Sequence, residues 1–166
     1  MTLDPILHTD PAIQIHLGAA SLAIAIGPVA LYRKRRDVWH RSLGRVWVGA
    51  MALLAISGFF IPARLLPVLG PFGPIHLFSI WALYALTTGM LAILRRDVAT
   101  HQAIMRTLYW QALGVAGLLT LLPGRRLNAV VFGDAQELGI WVIGTIGLAV
   151  LALRIWRRKQ AATPGI

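Results

Sequence analysis

The chain has 166 residues, 57% of them hydrophobic and only 13% charged, which excludes an ordinary soluble composition. Its formal charge of +10 does not point to nucleic acid, because the basic residues cluster at the ends of long apolar runs. No cysteine is present, which excludes disulfides, thiolate metal sites and a cysteine nucleophile.

Five apolar stretches predict membrane-spanning helices, at roughly 11–32, 42–61, 74–94, 103–122 and 137–156. A span needs about 20 apolar residues, because the hydrocarbon core is about 30 Å thick and a helix rises about 1.5 Å per residue. Before the first stretch stand Asp4 and Asp10, where a cleaved signal would carry basic residues, so this run is expected to be retained.

Asp10-Pro11 predicts the start of helix 1, since proline fits an early helical position where its missing N–H is not needed. His16 then falls about one turn inside, followed by the small residues Gly18, Ala19, Ala20 and Ser21, which permit close approach. Gly27-Pro28 predicts a kink. Arg33 to Arg36 suit a helix C-terminus, and Asp37 reads as the N-cap of helix 2, with His40 in its first turn.

Helix 2 is expected to end near Pro62, and the Pro- and Gly-rich stretch from Pro67 to Pro74 reads as a rigid outer connection. Helix 3 opens with His76 and carries Ser79, Trp81, Tyr84, Thr87 and Thr88. Asp97 reads as the N-cap of helix 4, where His101, Arg106, Tyr109, Trp110 and Gln111 make an unusually polar inner half. Helix 5 follows Phe132-Gly133 but carries Gln136 where the earlier copy has His76.

The first four helices form a tandem repeat. Ile15-His16-Leu17 and Ile75-His76-Leu77 stand sixty residues apart, as do Arg35-Arg36-Asp37-Val38 and Arg95-Arg96-Asp97-Val98. Beyond the aspartate the offset becomes 61, relating His40 to His101, Arg45 to Arg106, and Arg64 to Arg125, as if one residue were inserted at Ala99 or Thr100. One residue turns a helical side chain by about 100°, so this insertion strains the symmetry of the inner pair, and the outer pair is favoured.

The predicted architecture is all-α: a polytopic membrane helix bundle with a four-helix core built from a two-helix repeat, plus a fifth peripheral helix. It forms one transmembrane domain over 1–166, with repeat A at about 10–64, repeat B at about 70–125 and the fifth helix at about 137–156. Thirteen of the 16 Lys and Arg lie at Arg33–Arg45, Arg95–Arg106 and Arg154–Lys159, so the positive-inside rule places the N-terminus outside and the C-terminus in the cytoplasm of a bacterial inner membrane. A parallel repeat has its axis along the membrane normal. It is expected to bring helix 1 near helix 3 and helix 2 near helix 4, pairing His16 with His76 at the outer level and His40 with His101 at the inner level.

Paired imidazoles on separate helices suit bis-histidine haem b, with His16 and His76 as iron ligands and His40 and His101 as a second set. Arg45 and Arg106, or Arg64 and Arg125, are candidate partners for the propionates. Two such haems would make the chain a transmembrane electron carrier. The competing account is structural: interfacial imidazoles bonding loops or caps, arginines snorkelling to head groups, and Trp39, Trp47, Trp110, Trp141 and Trp156 in aromatic belts. No catalytic residue is assigned, since neither Gly-x-Ser-x-Gly nor His-Glu-x-x-His is present.

The motifs His40-Arg41-Ser42-Leu43-Gly44-Arg45, Phe72-Gly73-Pro74-Ile75-His76 and Pro123-Gly124-Arg125 resemble those of an uncharacterised bacterial family of small polytopic membrane proteins, a domain of unknown function, over roughly residues 10–133. The family implies the membrane bundle and no particular activity. The placement of His16, His40, His76 and His101 is more distantly similar to di-haem transmembrane cytochromes b, which implies electron transfer. Two further readings stand beside the carrier. One is a cofactor-free accessory subunit of a larger respiratory or photosynthetic complex. The other is a small transporter or metal-handling protein. The expected partners are the lipid bilayer and a membrane complex or a second copy.

Overall fold

The structure is a computed structural model that describes residues 9–63 and 67–162. Arg64 lies outside the described residues. The chain divides at Ala116 and Gly117 into two compact units, the first running Ile6–Ala116.

The first unit holds α1 (Pro11–Tyr32), α2 (Val38–Gly58), α3 (Pro74–Leu94) and α4 (Val98–Leu108), with α4 running on as a π-helical segment, π1 (Tyr109–Val115). Capping explains where three of them begin. The Asp10 carboxylate accepts from Ala12 N–H, Asp37 from His40 N–H and Asp97 from Thr100 N–H, each satisfying one of the amides that a helix start leaves open. The α3 start has glycine at its cap, and there His76 reaches back so that its Nδ1 accepts from Gly73 N–H at 3.1 Å.

Packing within this unit runs round a ring. The main contacts join α1 to α2, α2 to α3, α3 to α4, and α1 to both α4 and π1. The expected neighbours, helix 1 with helix 3 and helix 2 with helix 4, stand instead across the ring. A two-fold axis through the middle of four helices makes repeat mates diagonal, so what they share is the interior. That interior is lined by small side chains, Ala23, Ala30, Ala50, Ala55, Ala82 and Ala85, filled in by Trp47, Met51, Leu86, Met105 and Leu108. Small residues let helices approach closely where lipid supplies no hydrophobic drive. Large apolar groups such as Leu22, Ile24, Leu53, Ile80 and Leu91 are exposed, as a lipid-facing surface requires.

Pro28 costs α1 the N–H that would bond the Ile24 carbonyl. The Tyr109 hydroxyl takes its place, donating to Ile24 O at 3.4 Å, and at the preceding residue Trp47 Nε1–H donates to Ala23 O at 3.2 Å. Both rings fit because residue 27 is glycine: a Cβ there would fall on the Tyr109 ring and 3.0 Å from Trp47 Nε1.

Three described helices are long and apolar enough to cross a membrane: Pro11–Tyr32, Pro74–Leu94 and Leu138–Gln160. The remaining two predicted spans are helical too, but α2 carries Arg41 and Arg45 in its first turns and the fourth is interrupted by π1.

The second unit contains α5 (Ala116–Leu119), which starts at the boundary, then α6 (Arg126–Phe132) and α7 (Leu138–Ala162). The short α6 was not expected. Asn128, wholly buried, explains it: its Nδ2 donates to Leu121 O and to Gln136 O, clamping the segments on either side. Gly133 ends α6 in the left-handed region, φ 58, a conformation that favours glycine. No strand occurs among the described residues beyond an isolated bridge between Leu69 and Phe72.

Two outcomes follow from these contacts. Gly27→Val should destabilise the protein by about 1–3 kcal/mol by overpacking against two rings, read as a lowered unfolding midpoint in detergent. Asp37 is held well below the usual carboxylate range, chiefly by the Arg33 guanidinium at 2.5 Å and then by His40 N–H. A depressed carboxylate contributes stability above its unfolded value, near 3.8, and that stability is lost as pH falls through the lower folded value. Asp37→Asn should therefore lower the midpoint at neutral pH and flatten its fall in acid, measured by thermal scans against pH.

Candidate functional site

The two inner histidines are set by matching bonds. His40 Nδ1–H donates to Ala30 O on α1 at 3.0 Å, and His101 Nδ1–H donates to Gly89 O on α3 at 2.8 Å. A carbonyl only accepts, so the proton sits on Nδ1 and each Nε2 keeps its lone pair. This is the orientation in which a histidine serves as a metal ligand while a backbone group fixes its tautomer.

The inserted residue does not separate them. His40 is the third residue after its cap Asp37, whereas His101 is the fourth after Asp97. The turn between α1 and α2 is Arg33 to Asp37, and that between α3 and α4 is the shorter Arg95 to Asp97, with Arg96 at φ 62. The acceptor accordingly lies 10 residues before His40 and 12 before His101. Turn and first helical turn together absorb the extra residue.

Both imidazoles line one cavity of about 500 Å³ at this end of the ring. Its walls are apolar, from Leu31, Val48, Met90, Ile93, Val98 and Met105, with the buried indole of Trp47 behind them. Its polar groups are Gln102 and the arginines Arg33, Arg36, Arg41 and Arg45. Among the described residues Arg33 alone of these four has its charge met, by Asp37, so the field here favours an anion. Arg45 donates from Nε to Arg41 O at 3.2 Å, which leaves its terminal nitrogens free of that bond. Arg106, the repeat mate of Arg45, is not among the lining residues: its guanidinium lies over the Tyr32 ring, 5.3 Å from the centroid, while Tyr32 Oη accepts from Trp110 Nε1–H at 2.6 Å.

At the outer end, Ser57 donates its hydroxyl proton to Leu54 O at 3.0 Å, so its oxygen accepts from His16 Nδ1–H at 3.1 Å. His76 is 5% exposed, with the Phe72 ring edge-on at 4.9 Å and the Phe59 ring at 6.2 Å. Its Nε2 is buried and has no hydrogen-bond partner. Gly58 lies between the two helices that carry these histidines. A Cβ there would meet Ser79 Oγ at 2.7 Å and His16 Cε1 at 3.7 Å.

In the second unit Gln136, at the position homologous to His76, accepts on Oε1 from Gly124 N–H at 2.8 Å and so closes the loop before α6. Among the described residues no group of three or more His, Asp or Glu side chains could hold a metal ion. Sequence reasoning found all four histidines but missed Trp47 and the two methionines as cavity walls. The spacing of Trp47 from His40 and of Met105 from His101, each pair on one helix, was the available signal for two of these three.

Comparisons with curated proteins and with solved structures give no match. The two hairpins, the basic turns within them and most of the fifth helix fall within residues 13–155, which match the family described as "Predicted membrane protein (DUF2306)", and the chain belongs to that family of membrane proteins.

Proposed function

We propose that this membrane protein is an electron carrier that would hold one b-type haem in the inner cavity through His40 and His101. The observation that carries this is the convergence of two imidazoles from different repeats on one cavity, each with Nδ1–H spent on a backbone carbonyl and Nε2 available. The donor chemistry agrees with the group. A haem asks the protein for two axial nitrogens, apolar walls for the macrocycle and cations for the propionates. Arg36, Arg41 and Arg45 supply the last of these.

A bare divalent cation suits the cavity less well, because two neutral nitrogens would face it together with several uncompensated arginines. Haem supplies a one-electron ferric and ferrous couple when bound. The chain's own work is to hold the ligands at a fixed tautomer, to keep water from the apolar walls and to place positive charge beside the ring edge, which raises the potential. The basic turns set the orientation: this cavity faces the cytoplasm of a bacterial inner membrane, with the N-terminus outside.

Purified protein from haem-replete cells should carry about one haem per chain, with a Soret band and split visible bands on reduction. His40→Ala and His101→Ala should each remove it, whereas His16→Ala should leave the spectrum in place. A colourless wild-type preparation would rule the reading out. In Arg45→Ala the haem should be held about 10–100-fold less tightly, as for loss of a supporting group around a metal site, and its midpoint potential should fall because a nearby positive charge is lost; redox titration reads both.

A further inference from the structure

We infer that the seam between α1 and α4, at the end of the bundle that carries the basic turns, holds one anionic phospholipid, its phosphate between the Arg106 guanidinium and the Tyr32 hydroxyl. Side chains there fix one another in a chain. Tyr109 ties π1 to α1 by donating its hydroxyl to Ile24 O, and its ring meets the Trp110 ring edge-on with centroids 5.4 Å apart. Trp110 Nε1–H donates to Tyr32 Oη at 2.6 Å, and the Tyr32 ring carries the Arg106 guanidinium 5.3 Å from its centroid. None of these side chains lines the inner cavity, so the site stands apart from the proposed haem.

The cluster keeps two donors open. The Tyr32 oxygen accepts from Trp110, which leaves its own O–H to donate elsewhere. Among the described residues no carboxylate pairs with Arg106, and its one partner is the ring beneath it. The acids that cap helices at this end are already engaged: Asp37 pairs with Arg33, and Asp97 accepts from Thr100 N–H. The counter-ion for Arg106 therefore comes from outside the chain.

Position makes that anion a lipid. Tyr32 is the last residue of α1 and Arg33 to Arg36 follow it, so it lies at the edge of the span. Arg106 stands about 12 Å along α4 from Val98, and helical side chains lean toward the N-terminus, which returns its guanidinium toward that edge. Tyr32 and Trp110 are exposed, and so is Val29, one turn before Tyr32 on the same face of α1. They give an acyl chain an apolar track leading inward from the phosphate. A guanidinium and a hydroxyl hold a phosphodiester by charge-assisted bonds, and a zwitterionic lipid, which brings its own cation, suits an unpaired arginine less well.

The test is native mass spectrometry of the full chain released from detergent with added dioleoyl phosphatidylglycerol, with dioleoyl phosphatidylcholine as the comparison. One phosphatidylglycerol per chain should be retained, and more tightly than phosphatidylcholine. Arg106→Gln should weaken it about 10–100-fold, and Tyr32→Phe, which keeps the ring under the guanidinium, about 10-fold, as for loss of hydrogen bonds to a charged group. Arg106→Lys keeps the charge but loses the planar fork and should weaken it too, whereas Arg154→Gln on α7 should not. Monodisperse elution and a wild-type unfolding midpoint of the lipid-free protein serve as folding controls; if the Arg106 variants fail them, Tyr32→Phe decides, and unchanged affinity there overturns the site. Equal retention of the two lipids, full affinity in Arg106→Lys, or an equal loss in Arg154→Gln would show diffuse attraction to a basic surface and overturns it. Displacement of the lipid by equimolar glycerol phosphate would make the ligand a soluble phosphate and refute the lipid assignment. Loss in Arg45→Gln with retention in Arg106→Gln would move the lipid to the inner cavity and refute it as well.

Discussion

Each hairpin of the repeat is closed at its basic end by one bond, from an imidazole N–H near the start of one helix to a carbonyl near the end of the helix before it. In repeat A this is His40 to Ala30, and in repeat B His101 to Gly89. The bond does three things together. At Ala30 it gives a donor to a carbonyl in the last turn of α1, where the ladder is thinning. It fixes the angle at which the second helix leaves the turn. It also selects the tautomer that leaves nitrogen lone pairs facing the interior. Sheet-like or loop-borne sites lack this rigidity; here the ring of helices, drawn close by alanine, turns two local bonds into one shared cavity.

The two ends of the bundle use the same residue type under different constraints. At the inner end the helices part enough to leave about 500 Å³ among arginines, and at the outer end glycine brings backbone and side chains nearly into contact. An imidazole in the first setting has volume and positive charge beside it. In the second it has phenyl rings, hydroxyls and little space. The histidines recur at matching offsets, but the helix separation around each pair decides what chemistry is open to it.

Much of this was legible from spacing. The all-helical class, three of the helix starts at aspartate, the repeat and the four histidines all follow from local rules, because caps and periodicity act within a few residues. What escaped the sequence depends on the ring. Diagonal placement of the first and third helices is a property of four helices packed in sequence round a ring, and the expected adjacency of helices 1 and 3 overlooked it. The extra residue looked disruptive because a rigid helix would rotate His101 away; an unequal turn, with Arg96 in a left-handed conformation, accommodates it. Arg45 and Arg106 are equivalent by offset but not by surroundings, since only repeat A supplies Tyr32 as a platform, and that platform lies under the arginine of repeat B. The short helix over Arg126–Phe132 follows from long-range clamping by Asn128, which no periodic pattern records.

Trp47 ties these threads to an optical property. It is 1% exposed, its indole N–H is spoken for by Ala23, and its ring forms part of the wall between the alanine-lined centre and the cavity. Such an indole is shielded from water and emits toward the blue, while Trp39, Trp110, Trp141 and Trp156 lie on the exposed surface. Any strongly absorbing guest beside His40 would therefore dim this fluorophore, whose ring lines the cavity, so the protein carries within its own sequence a lamp that reports whether the chamber is filled.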